Sequence, residues 1–354
     1  MLVLRGFHHP AIAPACALTI GNFDGVHRGH QAMLALLNAE AAQRGVPSCV
    51  LTFEPHPRDY FAAALHKPEL APARVGTLRD KLSELARFGV QQTVVLRFDA
   101  ALAGQTPETF INDVLVRGLG ARYALVGDDF RFGRQRAGDY RLLAQAGQQR
   151  GFDVARMNSY EITYPQASTN AAEPVRVSSS EVRAALAAGR MDDAAQLLGR
   201  PYAISGHVVH GRKLGRALGE ASSGAGDGFR TLNLRFAHWK PAASGIFAVW
   251  VHGLAAEALP GVANLGIRPS LDPRDVNGGR VLLETHCLEW PAHLGAEGAY
   301  GKIIRVELMH KLHDELRYDS LGALTAGIAR DCADARAWFA AHAETRRQTT
   351  RDRI

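Results

Sequence analysis

The stretch TIGNFDGVHRGHQAML, residues 19–34, decides how the first half of the chain reads. It joins the apolar run CALTI (Cys16–Ile20) to a segment, Gly29–Arg44, in which Met33, Leu34, Leu37 and Ala41 fall on one helical stripe. Between them lies a glycine-punctuated turn carrying two histidines three positions apart. A strand that passes through such a turn into a helix leaves free N–H groups and a favourable dipole at the turn, which suits a phosphate. His27 and His30 can add hydrogen bonds to a polyphosphate, and Asn22 and Asp24 can orient the loop or a metal. Two other readings stay open at this point. One is zinc at His27 and His30, which needs a third ligand and has no HExxH pattern to supply a base. The other is a purely structural glycine turn.

The alternation continues outward from this turn. SCVLTF (Ser48–Phe53), QTVVLRF (Gln92–Phe98), RYALVG (Arg122–Gly127) and FDVARM (Phe152–Met157) are strand candidates. TLRDKLSELARF (Thr77–Phe88), PETFINDVL (Pro107–Leu115) and DYRLLAQAGQQR (Asp139–Arg150) are helix candidates. Strand and helix in turn predict a doubly wound parallel sheet covered on both faces, with ligands beyond the carboxyl ends of its strands. From about Tyr202 the pattern changes. YAISGHVVH, RTLNLRFA, GIFAVWVHG, GVANLGI, RVLLETHCLEW and KIIRVELMHKL are about six strand-like runs between Gly/Pro turns. They predict a small antiparallel β-barrel. A helix over Leu321–Ala341 closes it, because Leu324, Ile328, Cys332, Ala335 and Phe339 repeat at helical spacing. SSSEVRAALAAGRMDDAAQLLG (Ser178–Gly199) reads as helical. The expected layout is a first domain at 1–185, a helical connector at 186–200, a second domain at 201–345 and a basic tail at 346–354.

Bulk properties agree with two globular domains: 354 residues, 47% hydrophobic and 21% charged. The net charge is +6, and after Thr345 four arginines and one aspartate supply +3 of it. The remaining body is mildly basic, which suits phosphorylated small molecules and gives no ground for nucleic-acid binding. Cys16, Cys49, Cys287 and Cys332 are scattered without a CxxC pair, as expected of buried thiols in a reducing compartment. No apolar run reaches the roughly 18 residues of a membrane span, and the start lacks a secretory pattern. A cytoplasmic protein is expected.

The motifs carry a more specific resemblance. HxGH after a strand, His27–His30, resembles the signature of the nucleotidyltransferase class that includes the class I tRNA synthetases. The fuller GNFDGVHRGHQ resembles the FAD synthetase half of the bacterial bifunctional riboflavin kinase/FAD synthetases. FEPHP (Phe53–Pro57), GDDFRFGRQRAGD (Gly127–Asp139) and VRVSSSEVRAALAAG (Val175–Gly189) match that family in order. The last resembles its Ser-Ser-Thr-x-x-Arg motif, with Ser180 in place of Thr. The resemblance implies a HIGH-type nucleotidyltransferase domain. Gly21, Asn22, Phe23, Asp24 and Gly25 would form its nucleotide loop, and His27 and His30 would contact the ATP phosphates. Asp129 would lie near flavin and nucleotide, and Arg176, Ser179, Ser180 and Arg183 would steady the transferring phosphates. Other readings remain for single residues: SSSEVR is also a good helix cap, and Phe130 and Phe132 can be ordinary core. The chemistry suits the residue types. The phosphate of FMN is already anionic, so adenylyl transfer needs positioning and N–H or cationic donors more than a base.

The second half is similar to the riboflavin kinase module of the same family. GVANLGIRPSL (Gly261–Leu271), VLLETHCLEW (Val281–Trp290) and AYGKIIRVEL (Ala299–Leu308) match its segments, with Ser270 for a Thr. By position, Thr231 and Asn233 would hold Mg²⁺ and ATP, and Glu284 would deprotonate the ribityl hydroxyl, a poor nucleophile that requires a base. Plain strand alternation for TLNL and a solvent-facing carboxylate for Glu284 stay open beside these roles. Gly211, Lys213, Gly215, Gly219 and Arg268 would contribute to the nucleotide site. The family pattern GRxLGFPTxNL is interrupted here: removing Glu220–Gly228 restores GRALGFRTLNL, with Arg230 where proline belongs. The expectation is a folded barrel with weakened kinase activity. The resemblance therefore implies a bifunctional transferase that uses ATP and Mg²⁺, takes riboflavin to FMN and FMN to FAD, binds neither nucleic acid nor membrane, and leaves room for a weak homo-oligomer. Two other functions stay open: FAD synthesis alone beside a degenerate barrel, and an RNA-binding protein with a synthetase-like domain.

Overall fold

The computed structural model describes residues 1–165, 172–210, 231–235, 240–268, 280–295 and 297–342. Two compact units divide the chain: one built from Met1–Pro72, Lys81–Pro165 and the approach to Ser179, the other from Ala73–Asp80 and the described residues from Ser180 onward.

The first unit is a six-stranded sheet in the order β1-β4-β3-β2-β5-β6, parallel throughout. Its strands are β1 Leu2–Arg5, β2 Cys16–Ile20, β3 Ser48–Glu54, β4 Gln92–Arg97, β5 Ala121–Gly127 and β6 Asp153–Met157. All five residues of β2 are buried, as a strand covered on both faces requires. Alternation sorts the two faces. Leu18, Cys49, Leu51 and Val94 pack with Phe110, Ile111 and Leu115 of a wide-turned helical segment, Phe110–Gly118. Ala17, Val50 and Leu125 face Leu34, Leu37 and Ala41 of α1, Arg28–Gln43. After β2 the chain winds through β3 and β4 to one side, then crosses to β5 and β6 on the other. The switch point lies between β2 and β5, where the loop after β2 opens. The other helices here are α2 Pro57–Ala64, α3 Leu78–Arg87, the short α4 Ala100–Ala103 and α5 Pro107–Thr109, and α6 Tyr140–Arg150. A separate antiparallel hairpin joins β7 Glu161–Pro165 to β8 Ala172–Arg176.

The expected helical run over Ser178–Gly199 forms two helices, α7 Ser179–Ala187 and α8 Met191–Leu198. The break falls at Gly189, whose φ of 72° is left-handed, and its missing side chain accommodates Lys311.

In the second unit six antiparallel strands close a barrel in the order β10-β13-β12-β11-β14-β9. They are β9 Tyr202–Val209, β10 Thr231–Arg235, β11 Gly245–His252, β12 Leu259–Arg268, β13 Arg280–Cys287 and β14 Ile303–His313. Phe247, Val249 and Val251 of β11, Ala263 and Leu265 of β12 and Leu283 of β13 are buried at alternate positions and form one apolar face. Ile246, Ala248 and Val262 occupy the opposite face and pack against Ala335, Trp338 and Phe339 of α9, Leu321–Ala341. Ser320 caps α9, its hydroxyl accepting from the Ala323 N–H at 3.1 Å. All four cysteines are free and buried, and burial pushes the Cys287 and Cys332 thiols up to about 12 and about 11. No described helix is long and apolar enough to cross a membrane.

Candidate active sites

The turn after β2 is held in an unusual backbone. Phe23 (φ 48°), Gly25 (φ 84°) and Val26 (φ 41°) are left-handed, a costly conformation for Phe and for β-branched Val. Phe23 and Val26 are almost fully buried, and that packing holds the strain in place. His27 then caps α1: its Nδ1 accepts the N–H of His30 at 3.3 Å. The two imidazoles stack with centroids 3.7 Å apart, and Phe23 lies 4.7 Å from His30. Gly29 sits between the histidines because a Cβ there would meet the His27 ring and the Val177 carbonyl at 3.3 Å. The HxGH spacing is thus a packing requirement as well as a donor arrangement.

His30 is held well below the usual imidazole range, first by burial, then by the neighbouring His27 and Lys81. At neutral pH it is therefore an uncharged N–H donor and not a cation. Its Nδ1 and the Oδ1 of Asn22 are buried without a hydrogen-bond partner. Buried polar atoms of this kind call for a partner, which a bound ligand or an ordered water supplies.

Those two residues border a cavity of about 590 Å³ at the carboxyl ends of the central strands, which Gly21, Phe23, Asp129 and Ser179 also line. The rest of its wall includes the aromatic rings of Phe53, Phe61, Phe98 and Phe110 together with three arginines, Arg58, Arg131 and Arg136. Phe130 and Phe132 stack at 5.3 Å and serve both roles considered for them: Phe132 is core, and both line the cavity. Asp129 is exposed, and Arg176 lies 3.6 Å from it and 3.3 Å from Asp128. The Ser159 hydroxyl bonded to Asp128, and then the charge of Arg176, hold that carboxylate below its ordinary value. Ser179 donates to the Asp24 carbonyl at 2.9 Å and ties the start of α7 to the loop. Ser180 and Arg183 do not line the cavity, and Arg183 donates through Nε to the Ala73 carbonyl at 2.7 Å. His27, Asp24 and Gly25 are buried and do not line the cavity. Among the described residues no cluster of three His, Cys, Asp or Glu could hold a metal, and one nitrogen of His27 is committed to the cap.

Sequence reasoning passed over Asp128 and Lys81. Lys81 is buried in α3, its Nζ donating to Thr52 Oγ1 at 3.3 Å. The available signal was a charge on the stripe shared with Leu78 and Leu85.

On the barrel, cross-strand register gathers the other site residues. Asn233 of β10 stands opposite Glu284 of β13, which on its other side stands opposite Asn264 of β12. One rung along, Thr231 pairs with His286. Directly opposed residues share a face, so these side chains all stand on the outer face, opposite to Leu283 and Leu265. Asn233 is 4% exposed and donates through Nδ2 to the Thr231 carbonyl at 3.3 Å. Asn264, which the motif reading did not select, has a buried Oδ1 without a hydrogen-bond partner. Arg268 lies in β12 opposite Arg280, its side chain outside the described set. Gly211, Lys213, Gly215, Gly219, the Glu220–Gly228 insertion, Arg230, Ser270 and the 346–354 tail lie outside the described residues.

A parallel α/β sheet with HxGH at its switch point, followed in the same chain by a closed barrel bearing a Thr-x-Asn strand and a glutamate, defines a two-domain nucleotide-dependent transferase. A family model of FAD synthetase matches residues 9–171, and one of riboflavin kinase matches residues 198–339. The chain is 42% identical over 341 residues to the bifunctional riboflavin kinase/FMN adenylyltransferase of Escherichia coli strain K12, covering 96% of this chain and 98% of that one. It is 39% identical over 340 residues to the protein of the same description from Pseudomonas fluorescens, covering 95% and 97%. The chain belongs to the family of bifunctional riboflavin kinase/FMN adenylyltransferases. Among solved structures, one described as a macrolide-efflux protein from Streptococcus pneumoniae shares the fold, with a TM-score of 0.68 and 22% identity over 96% of this chain and 100% of that one.

Proposed function

We propose that the chain phosphorylates riboflavin to FMN on its barrel and adenylylates FMN to FAD in its first domain, using ATP for both. The observation that carries the reading is the HxGH turn bordering a cavity of about 590 Å³, with His30 Nδ1 and Asn22 Oδ1 unpartnered beside it. In adenylyl transfer an FMN phosphate oxygen attacks the α-phosphorus of ATP, the bond to the β-phosphate breaks, and pyrophosphate leaves. No proton need be removed, so the residues serve to align and to donate. The neutral His30 and Ser179 face the phosphates from the cavity wall, and Arg176, paired with the wall residue Asp129, supplies positive charge beside it. The aromatic wall takes the flavin by stacking.

For the kinase step, Glu284 takes the proton of the ribityl hydroxyl as its oxygen attacks the γ-phosphorus, and ADP leaves. Mg²⁺ suits the hard oxygens of Thr231 and Asn233 together with ATP phosphates, and would neutralise phosphate charge there. The domains are read as 1–185 and 201–345 with a connector at 186–200, and the location as cytoplasmic. The Glu220–Gly228 insertion weakens the kinase. A doubled surface loop costs only about 0.6 kcal/mol, whereas about 1 Å of misplacement in a catalytic loop costs on the order of 100-fold in rate. The test is incubation with ATP, Mg²⁺ and either riboflavin or FMN, followed by chromatography of the flavins. FAD from both supports the reading. FAD from FMN alone leaves only the adenylyl transfer, and no flavin product overturns it.

A further inference from the structure

We infer that Lys81 is a positioning residue for adenylyl transfer, acting through Thr52 on the turn that carries Asn22 and as a buried positive charge behind His30. The inference rests on the adenylyltransferase reading of the first domain. Lys81 is 4% exposed, and a buried ammonium is costly unless its surroundings hold it. Its Nζ donates to the Thr52 hydroxyl at 3.3 Å, and that hydroxyl donates to the Asn22 carbonyl at 3.4 Å. Thr52 is fully buried near the end of β3, so one β3 hydroxyl links α3 to the loop residue Asn22. Asn22 lines that cavity beside His30.

The same ammonium acts on His30 without touching it. The charged groups acting on that imidazole are His27, stacked on it, and Lys81 from α3; Asp24 lies in the same loop, and Asp129, Arg58, Arg131 and Arg136 line the cavity that the ring borders. Burial, His27 and Lys81 together favour the neutral ring. Removing the Lys81 charge makes His30 easier to protonate, and the acidic fall in activity then begins at a higher pH. Lys81 also places a positive charge beneath a loop that must receive triphosphate, in a dry region where its field is weakly screened.

The test compares FMN-to-FAD turnover of the wild-type chain with K81M, K81R and T52V between about pH 5 and 8. K81M should lose about tenfold or more in kcat, with its acid limb moved to higher pH, and K81R should recover most of both. T52V keeps the charge and should lower kcat without moving the acid limb. Circular dichroism and riboflavin phosphorylation by the same chain report folding. A folded K81M with wild-type rate and pH profile overturns the inference, as does a slow K81M with an unmoved acid limb that K81R fails to rescue. If K81M does not fold, T52V decides: an unchanged kcat overturns the link through Thr52. A wild-type chain that makes no FAD defeats the adenylyltransferase reading instead.

Discussion

Gly29→Ala sets two opposed effects against each other. Position 29 is the second residue of α1, and alanine in place of glycine in a helix ordinarily stabilises by about 0.5–1 kcal/mol. Here the new Cβ would lie 3.3 Å from Nδ1 and Cε1 of His27 and 3.3 Å from the Val177 carbonyl. The carbonyl is backbone and yields little. The His27 ring cannot retreat freely, because it stacks on His30 at 3.7 Å. A shift of a few tenths of an ångström must therefore pass along the pair and lengthen a cap already at 3.3 Å. Losing that cap costs about 1 kcal/mol, which roughly cancels the propensity gain. The expected result is a melting temperature close to wild type. Activity is the sensitive quantity, since about 1 Å of misplacement costs on the order of 100-fold and half of that about tenfold. FMN-to-FAD kcat should fall about tenfold with riboflavin phosphorylation unchanged, measured by flavin chromatography. A folded G29A with wild-type FAD synthesis would refute the claim that this glycine is required by the approach of His27.

Glu284→Gln removes the proposed base while keeping the strand pairings of β13; riboflavin phosphorylation should fall by about 10²-fold or more, with FAD synthesis from FMN intact in the same assay. Removing Glu220–Gly228 should raise the kinase rate and leave FAD synthesis alone; a kinase rate that does not respond sinks the interruption argument. On the barrel, His313 Nε2 lies 2.9 Å from Asp331 and Nδ1 lies 2.7 Å from the Asp314 carbonyl, two acceptors that both ring nitrogens satisfy only as imidazolium. Burial opposes that charge, yet Asp331, the Asp314 carbonyl and Asp334 raise the His313 pKa overall. A raised folded pKa means that this clamp between β14 and α9 is fully stabilising below about pH 6.5 and is lost as pH rises through the folded value. Barrel melting should therefore fall with pH across that window in the wild type and lose this component in Asp331→Asn, whereas identical pH profiles would remove His313 as the cause.

Much of the architecture is written in local pattern. Periodicity places β2 and α1 on either side of the glycine turn, and it places α9 because Leu324, Ile328, Cys332, Ala335 and Phe339 share one stripe. Six short runs between turns announce the barrel. Local pattern did not place β1, a four-residue strand defined by its pairing with β4. It could not find hairpin β7–β8, since a strand is defined by a distant partner. Residue type suggests phosphate contacts at His27 and His30, but that His27 caps α1 outside the cavity lining, and that His30 is neutral, comes from burial and from neighbours brought together by folding. Lys81 lies 51 positions from His30 in sequence and reaches its surroundings only because β3 lies beside β2. Asn264, opposite Glu284, emerges from register alone, which depends on which strands close the barrel. Motif and period depend on residues within a turn or two of one another. Protonation state, register and the floor of a cavity depend on residues far apart in sequence, and only the tertiary structure decides them.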